Sequence, residues 1–200
     1  MLKKAMMALG AISMLVPLAA SAESSNANGA GALSTSARLD FQVTVPRFLY
    51  LRVGTAGATI DQVAFDLNAR LTAGGFPGDT TNVAGTGGDA GGGAVNARVV
   101  ANTGQVTITP SAAAGGLTDG GTNTIPFTEI LTASSSAAMP APTLVNGAGA
   151  GVQPTLVGGN RTDRSATWTY TFDNEGLYEP GTYGGVNTNG SRVTYTAATP

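Results

Sequence analysis

Carboxylates are the side chains of this chain whose spacing comes nearest to a catalytic arrangement. Asp173, Glu175 and Glu179 lie in one short stretch, and a glycosidase needs two carboxyl groups held across a cleft. The pattern places these acids where a strand runs into a turn, which is typical of solvated acids. Histidine and cysteine are absent, which excludes a His-based triad and a zinc site built on Cys or His. We therefore expect no catalytic residue, no cofactor and no enzymatic activity.

Oxygen ligands for calcium occur together at one place. The stretch "TFDNEG" brings Asp173, Asn174 and Glu175 into one turn, and Ca²⁺ prefers oxygen ligands. The spacing of an EF-hand loop is missing, so these three residues stand as calcium candidates in a chain that otherwise predicts no metal site. The glycine cluster "GTGGDAGGG" lacks the Lys-Ser/Thr ending of a phosphate-binding loop and predicts a plain loop.

The single tryptophan lies in a strand-like pattern. Ala166, Trp168, Tyr170 and Phe172 alternate with threonines, which is the period of a β-strand with one buried face. Trp168 and Tyr170 have the residue types of a sugar-stacking platform. Because they share a face with Ala166 and Phe172, the pattern favours a core strand instead.

The first 22 residues predict an export signal. Lys3 and Lys4 precede an apolar stretch that ends in Ala20-Ser21-Ala22, an A-x-A cleavage site. We expect the remaining chain to be exported to the periplasm, the cell surface or the medium, without a stable membrane span. That remainder carries eight arginines and no lysine against twelve carboxylates, a net charge of −4. So few and scattered cations disfavour nucleic-acid binding, and we expect no nucleic-acid partner.

Period-two alternation organises the rest of the chain. We expect a flexible leader over residues 23–36 and a single domain over residues 37–200. Its first strand is predicted to carry Leu39, Phe41, Val43 and Val45 on one face, with a kink at Pro46. The stretch "NARVVANTGQVTITPS" predicts a β-hairpin, and residues 72–93 predict a long mobile loop. Because helical periodicity is nearly absent, the predicted fold is an all-β, Ig-like antiparallel β-sandwich with long Gly-rich loops.

Three segments resemble exported bacterial fimbrial subunits of the chaperone–usher kind, including the spore-coat-U-like group. They are "ARLDFQVTVPRFLYLRVG", "NARVVANTGQVTITPS" and "EPGTYGGVNTNGSRVTYTAATP". The resemblance implies an incomplete Ig-like sandwich that a neighbour's N-terminal segment fills by β-augmentation. The leader "ESSNANGAGALSTS" lacks alternating large apolar residues and the cysteine pair of many such subunits is absent, so a self-contained sandwich remains open.

Two functions follow as hypotheses. The first is an exported, non-enzymatic structural or surface protein, a fimbria-like subunit whose partners are further copies or an export chaperone. The second is a monomeric periplasmic or extracellular binding module for carbohydrate or calcium. The residues predicted to take part in strand pairing are Leu39, Phe41, Val43 and Val45 in the first strand, and Val193 and Tyr195 in the last.

Overall fold

The structure is a computed structural model that describes residues 24–200. The chain divides after Val45, and Pro46–Pro200 forms a compact unit. The predicted leader over residues 23–36 and the predicted domain over residues 37–200 stay predictions. The predicted export signal, residues 1–22, lies outside the described residues.

The compact unit is built from β-strands, which confirms the predicted all-β class. Short helical turns occur at α1 (Asn68–Thr72), Gly91–Gly93 and Phe127–Glu129. The strands are β1 (Leu49–Val53), β2 (Val63–Ala64), β3 (Val83–Ala84), β4 (Gly87–Gly88), β5 (Ala94–Ala101), β6 (Thr107–Ser111), β7 (Leu117–Thr118), β8 (Thr124–Ile125), β9 (Ile130–Ser134), β10 (Thr162–Phe172) and β11 (Thr194–Ala198).

The largest sheet has five antiparallel strands in the order β1-β5-β10, with β3 and β9 both pairing the end of β10. Strand β5 places Val95, Ala97, Val99 and Ala101 on its buried face. Its alternate residues are exposed or half-buried, so this strand has one face in the core and one towards water.

A second layer lies across the core from this sheet. Strands β6 and β11 pair with each other, and Ile108 of β6 also bridges to Val152. Trp168 of β10 and Ile108 are fully buried in the same apolar cluster, against which the ring of Tyr195 packs. The Tyr195 ring lies 5.6 Å from the Trp168 ring, and its hydroxyl lies 2.8 Å from that of Tyr170. These contacts join β11 to the middle of the facing sheet.

The predicted hairpin over β5 and β6 is wrong. Both strands form, but β5 pairs with β1 and β10, while β6 pairs with β11. The intervening turn carries the chain from one layer to the other. Val106 is fully buried at this crossing, and Gln105 Nε2 donates to Pro154 O at 2.6 Å. Turn residues such as Gly104 therefore marked a reversal correctly, but the two strands it joins belong to different layers.

The glycine-rich stretch over residues 72–93, predicted as a long mobile loop, contains the short strands β3 and β4 and side-chain contacts to its neighbours. Asp79 forms an ion pair with Arg70, and Asn174 Nδ2 donates to Asp79 Oδ1 at 3.0 Å. The hydrogen bond from Arg70 is the main reason that the pKa of Asp79 is lowered to about 2. A local polar network thus adds to the burial of Val83 and Ala90 in holding this stretch.

Candidate functional site

The apolar residues of the predicted first strand lie in water. Leu39, Phe41, Val43 and Val45 are 75%, 86%, 84% and 70% exposed, and residues 36–45 belong to no helix or strand. The prediction of a sheet strand at this place is therefore wrong for the single chain. Nothing in the alternation distinguishes it from a paired strand, because the pattern specifies a face to bury but not the surface that covers it.

This exposure is large for a short stretch. Burying apolar surface stabilises by roughly 25 cal/mol per Å², and contiguous exposed apolar surface commonly marks an interaction site. The intervening residues Asp40, Gln42 and Thr44 are polar, so the segment has the pattern of a strand with one face made for a core. Residues 39–45 are called the apolar segment below.

Strand β1 begins shortly after the apolar segment and has one unpaired edge. Among the described strands it pairs only with β5. Leu51 and Val53 pack against the core cluster but stay partly exposed, and Leu49 is 38% exposed. The core is therefore closed over β5 and β10 and incompletely covered at β1.

The hydrogen bonds of β1 alternate between its two edges. Gly54 N donates to Asn96 O, and Phe48 O accepts from Asn102 N, so the even-numbered residues direct their backbone groups to β5. In an antiparallel strand the N–H and C=O of one residue point to the same side, and successive residues alternate. The backbone groups of the odd-numbered residues Leu49, Leu51 and Val53 therefore face the unpaired edge.

Asn102 fixes the chain just before β1. Its Nδ2 donates to Pro46 O at 2.8 Å, and its Oδ1 accepts from Phe48 N at 2.9 Å. These bonds continue the ladder on the β5 side past the end of that strand. The missing N–H of Pro46 would also have pointed to the β5 side, so this proline leaves the unpaired edge uninterrupted.

Strand β11 holds the other predicted pairing residues. Val193 lies just before the strand, and Tyr195 pairs with Pro110 of β6. Burial raises the pKa of Tyr195 and that of Tyr170, whose hydroxyls are hydrogen-bonded to each other. Tyr195 reaches the middle of the facing sheet, and β11 is also a close neighbour of β1, with which it forms no strand pairing. Among the described strands β11 also pairs on one side only.

Two of the three predicted calcium candidates, Asp173 and Asn174, have other contacts. Asn174 is fully buried, and its Oδ1 accepts from Gly78 N at 2.9 Å. Asp173 N donates to Glu129 O at 2.7 Å, and Glu175 is exposed. Within residues 24–200 no three Asp, Glu, His or Cys side chains are grouped as a metal site. Asp173 and Asn174 thus fasten the turn after β10 to its neighbours.

Trp168 occupies the core position that the alternation predicted. It is fully buried, and its Nε1–H donates to Met139 O at 3.2 Å. Its face is therefore not available to a sugar.

Two arginines on the outer face of the sheet were not singled out from the sequence. Arg52 of β1 lies directly opposite Arg98 of β5, an arrangement that like charges make unfavourable. Arg98 has a long ion pair with Asp163 at 3.4 Å, whereas the buried Nε of Arg52 has no hydrogen-bond partner among the described residues. Only the register of β1 against β5 reveals this pair, and the sequence alone does not supply it.

Comparison with known proteins found no matching family model, no matching curated protein and no matching solved structure. In residues 24–200 no helix has the length and apolar character needed to cross a bilayer.

Proposed function

We propose that this protein is an exported, non-enzymatic surface or structural protein that self-associates by strand pairing. The apolar segment of one copy adds to the unpaired edge of β1 in another copy. The product is an Ig-like sandwich whose first sheet gains a strand, as the resemblance to fimbrial subunits implies. The observation that carries the proposal is the exposure of Leu39, Phe41, Val43 and Val45 in a chain whose core is left incompletely covered at β1.

The apolar segment is poorly placed to pair with β1 of its own chain. Only Pro46, Arg47 and Phe48 separate the apolar segment from β1, so a hairpin within one chain would use them as its turn. Two of them are held by Asn102 in line with β1. A reverse turn would break both hydrogen bonds, which supports pairing between copies over pairing within one.

Association is tested by light scattering coupled to size-exclusion chromatography over a wide concentration range. The wild-type protein is expected to form assemblies that dissociate on dilution. Phe41→Ser with Val43→Ser removes about half of the apolar face and is expected to leave a monomer. Leu177→Ser with Val186→Ser is the matched control, since these side chains are also highly exposed, at 82% and 73%, but lie outside the segment.

Three results would contradict the proposal. They are a wild-type protein that stays monomeric at every concentration, assembly that persists in Phe41→Ser with Val43→Ser, and an equal loss of association in the control variant. A stable monomer would favour the alternative of a binding module, which a gain in thermal stability with a carbohydrate or calcium would then identify.

A further inference from the structure

We infer that the apolar segment pairs with β1 of a second copy antiparallel and in one register, Asp40 opposite Arg52, and that two copies do so reciprocally. This inference rests on the proposed self-association and adds its partner strand, register and symmetry. Three independent features of the described residues select it: the facing of the backbone groups, the order of apolar residues and the unmatched charge of Arg52.

Apolar matching favours the antiparallel direction. With Asp40 opposite Arg52, antiparallel pairing sets Leu39, Phe41 and Val43 against the core-facing residues of β1. These partners are, in the same order, Val53, Leu51 and Leu49. A parallel strand in which Asp40 met Arg52 would run past the end of β1 after Phe41 and leave Val43 and Val45 without a partner. The antiparallel pairing therefore covers the whole strand and extends the core surface at the place where it is incomplete.

Backbone geometry agrees with this register. The odd-numbered residues of β1 direct their N–H and C=O groups to the free edge, and they meet odd-numbered residues of the incoming segment as hydrogen-bonded pairs. The even-numbered pairs are then the non-hydrogen-bonded kind, with Cα atoms about 4.5 Å apart and side chains at their closest. Asp40 and Arg52 form such a pair, which is the favourable position for a cross-strand ion pair.

Apolar facing and charge together make the neighbouring registers less favourable. A one-residue slip turns every apolar side chain to the wrong face. A two-residue slip in one direction sets Arg38 opposite Arg52, which lies next to Arg98 on the same face. A two-residue slip in the opposite direction sets Asp40 opposite Gly54, away from Arg52. Only the stated register supplies a carboxylate to Arg52, which already faces a like charge and has an unpartnered buried Nε.

The register cannot form within one chain. Asp40 opposite Arg52 sets Val45 opposite Arg47, which leaves Pro46 alone as the turn, whereas the common tight hairpins need two turn residues. Between two copies the same register places Pro46 opposite Pro46. A two-fold axis then passes between the prolines, and each copy gives its segment to the other. The assembly unit is a closed dimer, the symmetric product expected of an isologous interface.

Charge exchange tests the register. Asp40→Arg and Arg52→Asp are each expected to weaken dimerisation by about tenfold or more, because each variant dimer holds two like-charged pairs. An equimolar mixture of the two variants is expected to recover the wild-type dissociation constant, since both pairs in the mixed dimer are again Arg with Asp. Arg161→Asp, an exposed residue outside the interface, is the control and should change nothing.

Disulfide trapping tests reciprocity. The sequence has no cysteine, so Gln42→Cys with Tyr50→Cys supplies the only thiols, at positions that the register sets opposite each other. Oxidation is expected to give a covalent dimer on a non-reducing gel, because cross-strand Cα distances fit a disulfide. Gln42→Cys with Arg161→Cys, two exposed positions that the register does not set opposite each other, is the control and should remain uncrosslinked.

The outcomes separate this inference from the proposed function. A wild-type protein that does not associate defeats both. A dissociation constant that the charge changes leave unaffected would overturn the register and leave self-association standing. The same conclusion follows if the mixture of the two variants dimerises as weakly as each variant alone. A ladder of crosslinked chains instead of a dimer overturns the reciprocal exchange.

Discussion

The apolar segment and β10 have the same sequence pattern and opposite surroundings. In β10 the alternating residues Trp168, Tyr170 and Phe172 are almost fully buried, and the strand pairs with β5, β9 and β3. In the apolar segment, alternating residues of similar type are largely exposed. Period-two alternation therefore states that a stretch is suited to a sheet, but it does not state whether the sheet belongs to the same molecule.

The largest expected effect comes from one matched pair of phenylalanines. Phe172→Ala is expected to lower the free energy of unfolding by about 3–5 kcal/mol, because it removes a buried ring from the core. Phe41→Ala is expected to change the stability of the dilute protein by less than about 0.5 kcal/mol, as for other exposed positions. Denaturant unfolding at low protein concentration measures both. Equal losses would contradict the contrast between the two regions.

Removing the side chain that fixes the chain before β1 should have a smaller effect. Asn102→Ala loses the hydrogen bonds to Pro46 O and Phe48 N, each worth about 1 kcal/mol. We expect unfolding at low concentration to be easier by about 1–2 kcal/mol and dimerisation to weaken as well. Asn123→Ala, which loses one hydrogen bond to Asp119, is the control for the effect on dimerisation. Dimerisation unchanged in Asn102→Ala would show that this contact does not direct the apolar segment.

The buried tyrosines Tyr170 and Tyr195 are expected to make the stability of the fold depend on alkaline pH. Burial raises the pKa of Tyr170 and Tyr195 above the ordinary value of 10. The folded state then holds protons that the unfolded state releases, so their contribution is complete below pH 10 and is lost progressively as the pH rises above 10. Denaturation midpoints measured from pH 8 to 11 should fall at the upper end. Tyr195→Phe should reduce this fall, and an identical pH profile would contradict the assignment.

The smallest expected effect concerns Asp79 in the glycine-rich stretch over residues 72–93. Asp79 has its pKa lowered to about 2, so its contribution to stability is present above its ordinary value of 3.8 and is lost as the pH falls from there towards 2. Asp79→Asn should remove this part of the acid sensitivity while leaving the profile above pH 5 parallel to wild type. Asp66→Asn, an exposed carboxylate nearby, serves as the control.

Sequence patterns predicted the local structure better than the pairing. The all-β class, the core position of Trp168 and the strands β5, β6, β10 and β11 follow from alternation and turn residues. The pairing of β5 and β6 was missed because a turn signal does not reveal whether the chain stays in one layer. The anchoring of the 72–93 stretch was missed because Asn174, which holds it, is distant in sequence.

The residues of the candidate site could be predicted from the sequence, but their exposure to solvent could not. Leu39, Phe41, Val43 and Val45 were identified from alternation, but their exposure depends on how much of the core the rest of the chain covers. The Arg52–Arg98 pair needed the register of β1 against β5, which is set by non-local contacts. Such information is absent from a window of a few residues.

Amide hydrogen exchange across a dilution series tests the central claim most directly. In the paired assembly the N–H groups of Phe41, Val43 and Leu51 face the partner strand. We predict that these amides are protected at concentrations where the protein is associated and exchange freely once dilution yields the monomer, while the amide of Val99 in the central strand β5 stays protected throughout. Free exchange of Phe41 and Val43 in the associated protein would contradict the account, as would their protection in the monomer.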